Sequence, residues 1–237
     1  MDGIQVITPI TQRNFKVTRR IFTNRENIVY GLQHLVGLII TAACTALLIV
    51  LNALDRVDPW KIVSYSLFCG GLIVYYGLSA LSHILYISEK IHRIICRIDF
   101  CMVPFMIASC FMPICLVVVR GACGWTLFGL VWAYAVLAII QRAIQPINNI
   151  LKSIVLALLT VNILFAIILL THIIEVKSLF FLTIGALFYA ASAMIFPYKL
   201  IHYEKGLIKC HSLSHILMIL GTICHFYLLF ITTYWVK

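Results

Sequence analysis

Charged residues are scarce in this sequence. They make up 11% of its 237 residues, and only eight are acidic, whereas about 25% of an average soluble domain is charged. Hydrophobic residues reach 63% and the mean hydropathy is +1.05. Because so little polar surface cannot cover a globule in water, the composition excludes an ordinary soluble domain and indicates an integral, multi-pass membrane protein.

The sequence also lacks a concentrated basic patch and a disulfide framework. Its net charge of +10 comes from Lys and Arg residues that lie in short gaps between apolar runs. This scatter argues against a nucleic-acid partner and favours a role in membrane topology. The nine cysteines lie mostly inside apolar runs, so we interpret them as small core residues and not as a disulfide scaffold.

No cleavable signal core is recognisable near the N-terminus. Residues 1–27 are polar and precede the first apolar run, and we expect them to form a basic tail on the cytoplasmic side. Its basic residues are Arg13, Lys16, Arg19, Arg20 and Arg25. Residues 28–237 are expected to form one transmembrane domain.

Long apolar runs recur along the rest of the chain. A spanning helix needs about 20 apolar residues to cross a hydrocarbon core of about 30 Å. The runs that meet this length predict an all-α bundle of seven transmembrane helices. They cover residues 28–51, 61–87, 94–119, 125–141, 150–173, 179–198 and 207–236.

The distribution of basic residues predicts the orientation of this bundle. The tail and the even-numbered loops together hold thirteen of the 18 Lys and Arg residues, and the opposite side holds five. Cytoplasmic loops carry the excess of basic residues in membrane proteins. The N-terminus is therefore predicted to be cytoplasmic and the C-terminus to lie outside.

Few polar residues occur inside the predicted spans, and they collect near one end. Ser79 and His83 lie four residues apart near the end of the second span, and Asp99 opens the third. His211 and His215 open the seventh, again four apart, so they share a helical face. Ionisable groups are costly in lipid, so residues that converge in this way predict a functional site.

This set of residue types suits zinc. Three imidazoles, from His83, His211 and His215, leave the fourth tetrahedral position for water, which is typical of a catalytic site. Asp99 is then a hydrogen-bond partner or general base for that water. Ser79 is expected to hydrogen-bond either Asp99 or a polarised substrate oxygen. The alternative is that these side chains only hydrogen-bond between helices.

The remaining histidines receive simpler interpretations. A hydrogen-bonded packing role is expected for three of them inside spans, and two others are expected in solvated loops. The packing histidines are His34, His172 and His225, and the loop histidines are His92 and His202.

Three sequence blocks carry a resemblance to a known family. The second span ends in SALSH, with Ser79 and His83; the third block is RIDFCMVPFMIASCFMP, with Asp99; the last is HSLSHILMILGTICHF, with His211 and His215. In this order the blocks resemble the progestin and adipoQ receptor and haemolysin III membrane proteins over residues 26–230. The family's first helix carries an acidic residue, an Asn and a Thr-His or Ser-His pair, where this chain has Asn27, Tyr30 and Gln33-His34.

The resemblance implies a zinc ion held by His83, His211 and His215, with Asp99 and Ser79 beside it. The family is also similar to the alkaline ceramidases, which implies hydrolysis of a lipid amide and a sphingolipid or fatty-acyl substrate or ligand in the membrane. The second hypothesis is a receptor or lipid sensor in which zinc only holds helices together. A pore-forming haemolysin ranks last, because the spans carry almost no polar stripe. The oligomeric state is left open.

Overall fold

The structure, a computed structural model, is helical throughout most of the residues it describes. These are residues 24–54, 58–85, 88–143, 168, 170–201 and 207–235. A π-helical segment, Ile114–Val119, continues the third helix. The α-helices are α1 Asn24–Leu54, α2 Pro59–Ile84, α3 Glu89–Pro113, α4 Gly121–Ala143, α5 Val176–Ile201 and α6 Leu207–Trp235.

Five of the described helical segments are long and apolar enough to cross a membrane. They belong to α1, α2, α3 with its π-helical extension, α4 and α6, and α5 holds a shorter apolar stretch, Val176–Ser192. The predicted all-helical membrane bundle is therefore confirmed. The basic tail up to residue 23 and most of the predicted fifth span, 150–173, lie outside the described residues, so the number seven and the orientation stay predictions.

The capping residues explain why two helices begin earlier than predicted. Asp58 accepts a hydrogen bond from the backbone N–H of Trp60 at 3.0 Å, and Pro59 occupies the first turn of α2. Ser88 accepts from Ile91 N–H at 3.3 Å and starts α3. Such caps satisfy donors that a helix start leaves open. As a result Asp99 lies well inside α3 instead of opening it, and His92 lies in the first turn of α3 instead of in a loop.

A tight turn separates the third and fourth predicted spans. Arg120 and Gly121 have φ values of 46° and 65°, a left-handed conformation that ends the π-helical segment. The Arg120 guanidinium then reaches back to the start of α2, where it lies 2.7 Å from the Asp58 carboxylate and 5.9 Å from the Trp60 ring centre. The start of α2 and the start of α4 therefore lie at the same end of the bundle.

The helices pack mainly against their neighbours in sequence. Contacts join α1 to α2, α2 to α3, α3 to α4 and α5 to α6, and α6 also contacts α1. Large apolar side chains such as Ile39, 67% exposed, and Leu187, 61% exposed, cover the outside. This surface suits lipid, because the polar backbone groups are satisfied within each helix. The contact between α1 and α6 brings the first and last helices to the same site.

Candidate metal centre

Three histidine rings from three helices converge inside the bundle. They are His34 on α1, His83 near the end of α2 and His215 on α6. His34 and His215 are buried, at 3% and 7% exposure, and His83 is half-buried. The His34 and His215 ring centres are 4.2 Å apart, and each lies 5.6 Å from that of His83. The cluster lies at the end of α2 opposite Asp58.

The donor atoms of this histidine cluster fit a metal ion. One ring nitrogen of each residue lies within 4.8 Å of the others. Zn–N bonds of 2.0–2.1 Å in a tetrahedral site separate neighbouring nitrogens by about 3.3 Å. The three nitrogens are thus close to the spacing of zinc ligands, although wider than it. An all-imidazole set suits zinc and related transition metals better than magnesium or calcium, which prefer oxygen.

Gln33 and Tyr30 surround the cluster from α1. The Gln33 side-chain oxygen lies 3.2 Å from His215 Nδ1, while its amide nitrogen donates to the Ser212 hydroxyl. The Tyr30 ring is fully buried, and its centre lies 5.6 Å from His83 and 5.5 Å from His215. Because Nδ1 of His215 lies against Gln33, Nε2 is the nitrogen through which this ring would bind a metal.

A hydrogen-bonded carboxylate lies close to His83, beside the preceding turn of α2. The Ser79 hydroxyl donates to one Asp99 oxygen, and the Ser82 hydroxyl lies 3.2 Å from the other. Ser79 and Ser82 are both buried. These contacts link α2 to α3 and orient the carboxylate. The hydrogen bond from Ser79 to Asp99 is one of the two alternatives that the sequence predicts for Ser79.

The structure brings together most of the side chains named from sequence. His83 lies beside His215, and Ser79 lies beside Asp99. The His211 side chain lies outside the described residues; its backbone belongs to α6, one turn before His215.

His34 is the residue that sequence reasoning leaves out of the cluster. From the sequence alone we interpret it as a packing histidine, because no second His, Asp or Glu lies three or four residues away. One sequence feature could have identified it. The family that the sequence resembles has a Thr-His or Ser-His pair in its first helix, and the histidine of that pair matches His34.

His225 lies apart from the histidine cluster, farther along α6. Its Nδ1 is 2.8 Å from the Gly221 carbonyl oxygen, and its ring stacks on Tyr189 with centres 5.1 Å apart. These are the contacts of the hydrogen-bonded packing role that the sequence predicts for it. His172 is exposed in the turn before α5, so the packing role predicted for it is wrong. His202 lies outside the described residues.

Comparisons with known proteins place most of the helical region in one family. The family described as "Haemolysin-III related" matches residues 22–226. "Hemolysin-3" of Bacillus cereus is 25% identical over 127 residues, which is 54% of this chain and 57% of that protein. "Hemolysin-3 homolog" of Bacillus subtilis (strain 168) is 28% identical over 121 residues, which is 51% of this chain and 56% of that protein. The matched region thus spans little more than half the length of each relative.

Proposed function

The chain belongs to the haemolysin-III-related family, and from that premise we propose that it is a zinc-dependent hydrolase of lipid amides in the membrane. The observation that carries the proposal is the histidine cluster inside an apolar bundle, close to the Asp99 carboxylate that Ser79 binds one turn before His83. Buried ionisable groups of this kind are rare in membrane proteins and mark functional sites.

The chain's own residues fit the zinc ion. His83 and His215 belong both to the sequence-predicted ligand set and to the histidine cluster. His211 remains the third ligand predicted from sequence. Zinc bound there supplies a Lewis acid that polarises an amide carbonyl and acidifies a water molecule.

Asp99 is suited to move the proton in such a reaction. Ser79 donates to one carboxylate oxygen, and the Ser82 hydroxyl, which also lies 2.8 Å from the Ser79 carbonyl oxygen, is 3.2 Å from the other. These contacts orient the carboxylate and leave lone pairs on both of its oxygens. As general base, Asp99 accepts a proton from the attacking water. As general acid, it returns that proton to the amine nitrogen when the C–N bond breaks.

The substrate class follows from the family resemblance and the surroundings of the cluster. Similarity to alkaline ceramidases points to N-acyl lipids, whose acyl chains are soluble in the bilayer. His83 lies near the end of α2, so the cluster is close to the depth at which an amide next to a headgroup resides.

Release of fatty acid from a labelled N-acyl lipid tests the proposal. Purified protein should release the acid, and His83→Ala, His211→Ala and Asp99→Asn should each lower the rate. For Asp99→Asn we expect a loss of about 100-fold or more, the usual contribution of a general base.

Asp58→Asn is the matched control. This carboxylate lies at the opposite end of α2 and pairs with Arg120 on the surface, so its removal should leave the rate nearly unchanged. Equal rates for wild type and Asp99→Asn would exclude Asp99 as the general base. Equal rates for wild type and His83→Ala or His211→Ala would exclude zinc-dependent hydrolysis.

A sensor with structural zinc is the second candidate function. The observation that favours it is the presence of His34 in the cluster, because four imidazoles, with His211, would fill the tetrahedral position that a catalytic site leaves open. If the protein is a sensor, zinc removal should lower its thermal stability and its affinity for the ligand. No fatty acid should then be released from any lipid tested.

Pore formation ranks last. The described helices direct large apolar side chains outward, such as Ile39 and Leu187, and a water-filled pore needs polar lining along several helices.

A further inference from the structure

The first helix lies against the metal centre at His34. This residue is on α1, yet its ring is closer to His215 than His83 is, with centres 4.2 Å apart. Its ring is also nearly parallel to that of His83, at an interplanar angle of 10°. His34 is more deeply buried than His215, at 3% against 7% exposure.

Independent contacts fix the position of α1 beside the site. A Cβ atom on Gly31 would clash with Ile84, and one on Gly37 would clash with Tyr76, so both glycines allow close approach to α2. Gln33 joins α1 to α6 through its contacts with His215 and Ser212. Because these contacts lie on both sides of His34 in sequence, they hold the α1 backbone beside the site, where the His34 ring is buried.

A buried cluster of three imidazoles favours the binding of one metal cation by all three rings. Each neutral ring presents one lone pair, and a proton added to any of them would place a charge in a low-dielectric interior. A divalent metal coordinates one nitrogen from each ring without adding a proton to any of them, and these nitrogens already lie within 4.8 Å of one another.

We propose that His34 is a direct metal ligand, so that α1 contributes an imidazole to the zinc site together with His83 on α2 and His215 on α6. The inference rests on the proposed zinc site. It agrees with hydrolysis if His211 is not a fourth ligand, and with the structural-zinc sensor if all four imidazoles bind and close the tetrahedral site. It assigns a chemical role to the first helix. In this helix the chain has Asn27 and Tyr30 at the positions where the family has an acidic residue and an Asn.

Cobalt(II) binding to purified, metal-stripped protein tests this role. The wild type should bind cobalt with the visible bands of a tetrahedral site. His34→Gln should weaken binding by more than about 100-fold, beyond the 10–100-fold loss typical of residues that only orient a ligand. His225→Gln is the matched control, since it removes another buried histidine that is outside the cluster, and it should bind as the wild type does.

A second variant gives a readout that a packing role could not produce. In His34→Cys a thiolate replaces the imidazole, and direct coordination should add a sulfur-to-cobalt charge-transfer band in the near ultraviolet. His225→Cys should give no such band. This variant decides the question if His34→Gln does not fold.

The outcomes separate the two proposals. Wild-type protein that binds metal, with no charge-transfer band in His34→Cys, would overturn the role of His34 and leave the zinc site standing. Wild-type protein that binds neither cobalt nor zinc would overturn both.

Discussion

At the scale of single residues, Gln33 governs how His215 presents its nitrogens. Its side-chain oxygen lies 3.2 Å from His215 Nδ1, and its amide nitrogen is anchored by Ser212. Partners of this kind fix the tautomer and the ring orientation of a metal-binding histidine. In the proposed zinc site, Gln33 would thus be a positioning residue that acts on the metal through His215.

Replacement of Gln33 by Leu should therefore weaken zinc binding without abolishing it. We expect a loss of about 10–100-fold, the range for such partners. Gln33→Glu keeps an oxygen acceptor for Nδ1–H and should bind zinc at least as well as the wild type. Competition with a chromogenic chelator measures both affinities.

Leu47→Ala is the control, since this residue lies farther along α1, away from the cluster, and its side chain is exposed. Its substitution should leave the zinc affinity unchanged. Identical zinc affinities for Gln33→Leu and the wild type would show that Gln33 does not orient His215.

The site residues differ in how far sequence can predict them. His83 and Ser79 share a face of one helix at a spacing of four, and Asp99 stands out as a costly charge in an apolar run. No second His, Asp or Glu lies three or four residues from His34 in the sequence. Its neighbours lie on α2 and α6, and sequence spacing within one helix carries no information about contacts between helices.

At the scale of helices, the contact between α5 and α6 depends on small residues. A Cβ atom on Gly221 would lie 2.7 Å from the Tyr189 ring and 3.1 Å from the Gly185 carbonyl oxygen. Tyr189 cannot easily give way, because its hydroxyl bonds Thr222 at 3.0 Å and its ring stacks on His225. Small residues at such positions let membrane helices approach closely.

Gly221→Ala should consequently lower the thermal unfolding midpoint. Overpacking costs about 1–3 kcal/mol, which exceeds the gain of about 1 kcal/mol that Ala brings to a helix interior. Gly129→Ala in α4 is the matched control, because a Cβ atom there meets nothing within 4 Å. It should leave the midpoint unchanged or raise it.

Unfolding of the detergent-solubilised protein, followed by circular dichroism, measures both variants. A midpoint for Gly221→Ala equal to or above that of Gly129→Ala would contradict the close packing of α5 on α6.

The helices themselves are largely predictable, because run length and hydropathy reflect the thickness of the bilayer. Their boundaries are less so. Asp58 and Ser88 begin α2 and α3 through local hydrogen bonds made by polar residues outside the apolar runs. The positive φ of Arg120 at the end of the third span is likewise a property of the turn and not of hydropathy.

At the scale of the whole molecule, the bundle has two chemically different ends. The histidine cluster and Asp99 lie toward one end, where α2 finishes and α3 begins. The Asp58–Arg120 ion pair lies at the other, where α2 and α4 begin. The basic asymmetry of the sequence predicts that the first end is cytoplasmic, so the ion pair should face the outside.

Cys123 offers a direct test of this orientation. It is an exposed cysteine in the first turn of α4, close to Arg120. If the ion-pair end faces outward, a membrane-impermeant thiol reagent should label it on intact cells. The reagent cannot reach a buried thiol such as Cys110 from either side, so labelling reports the exposed site.

Cys123→Ser supplies the control for this labelling and should remove the signal. A Cys introduced at Lys90, at the opposite end of the bundle and exposed, should react only after the cells are permeabilised. The reverse pattern, with Lys90→Cys labelled from outside and Cys123 protected, would invert the predicted topology and move the metal centre toward the outer leaflet. In the proposed hydrolysis, the substrate lipids would then come from the outer leaflet.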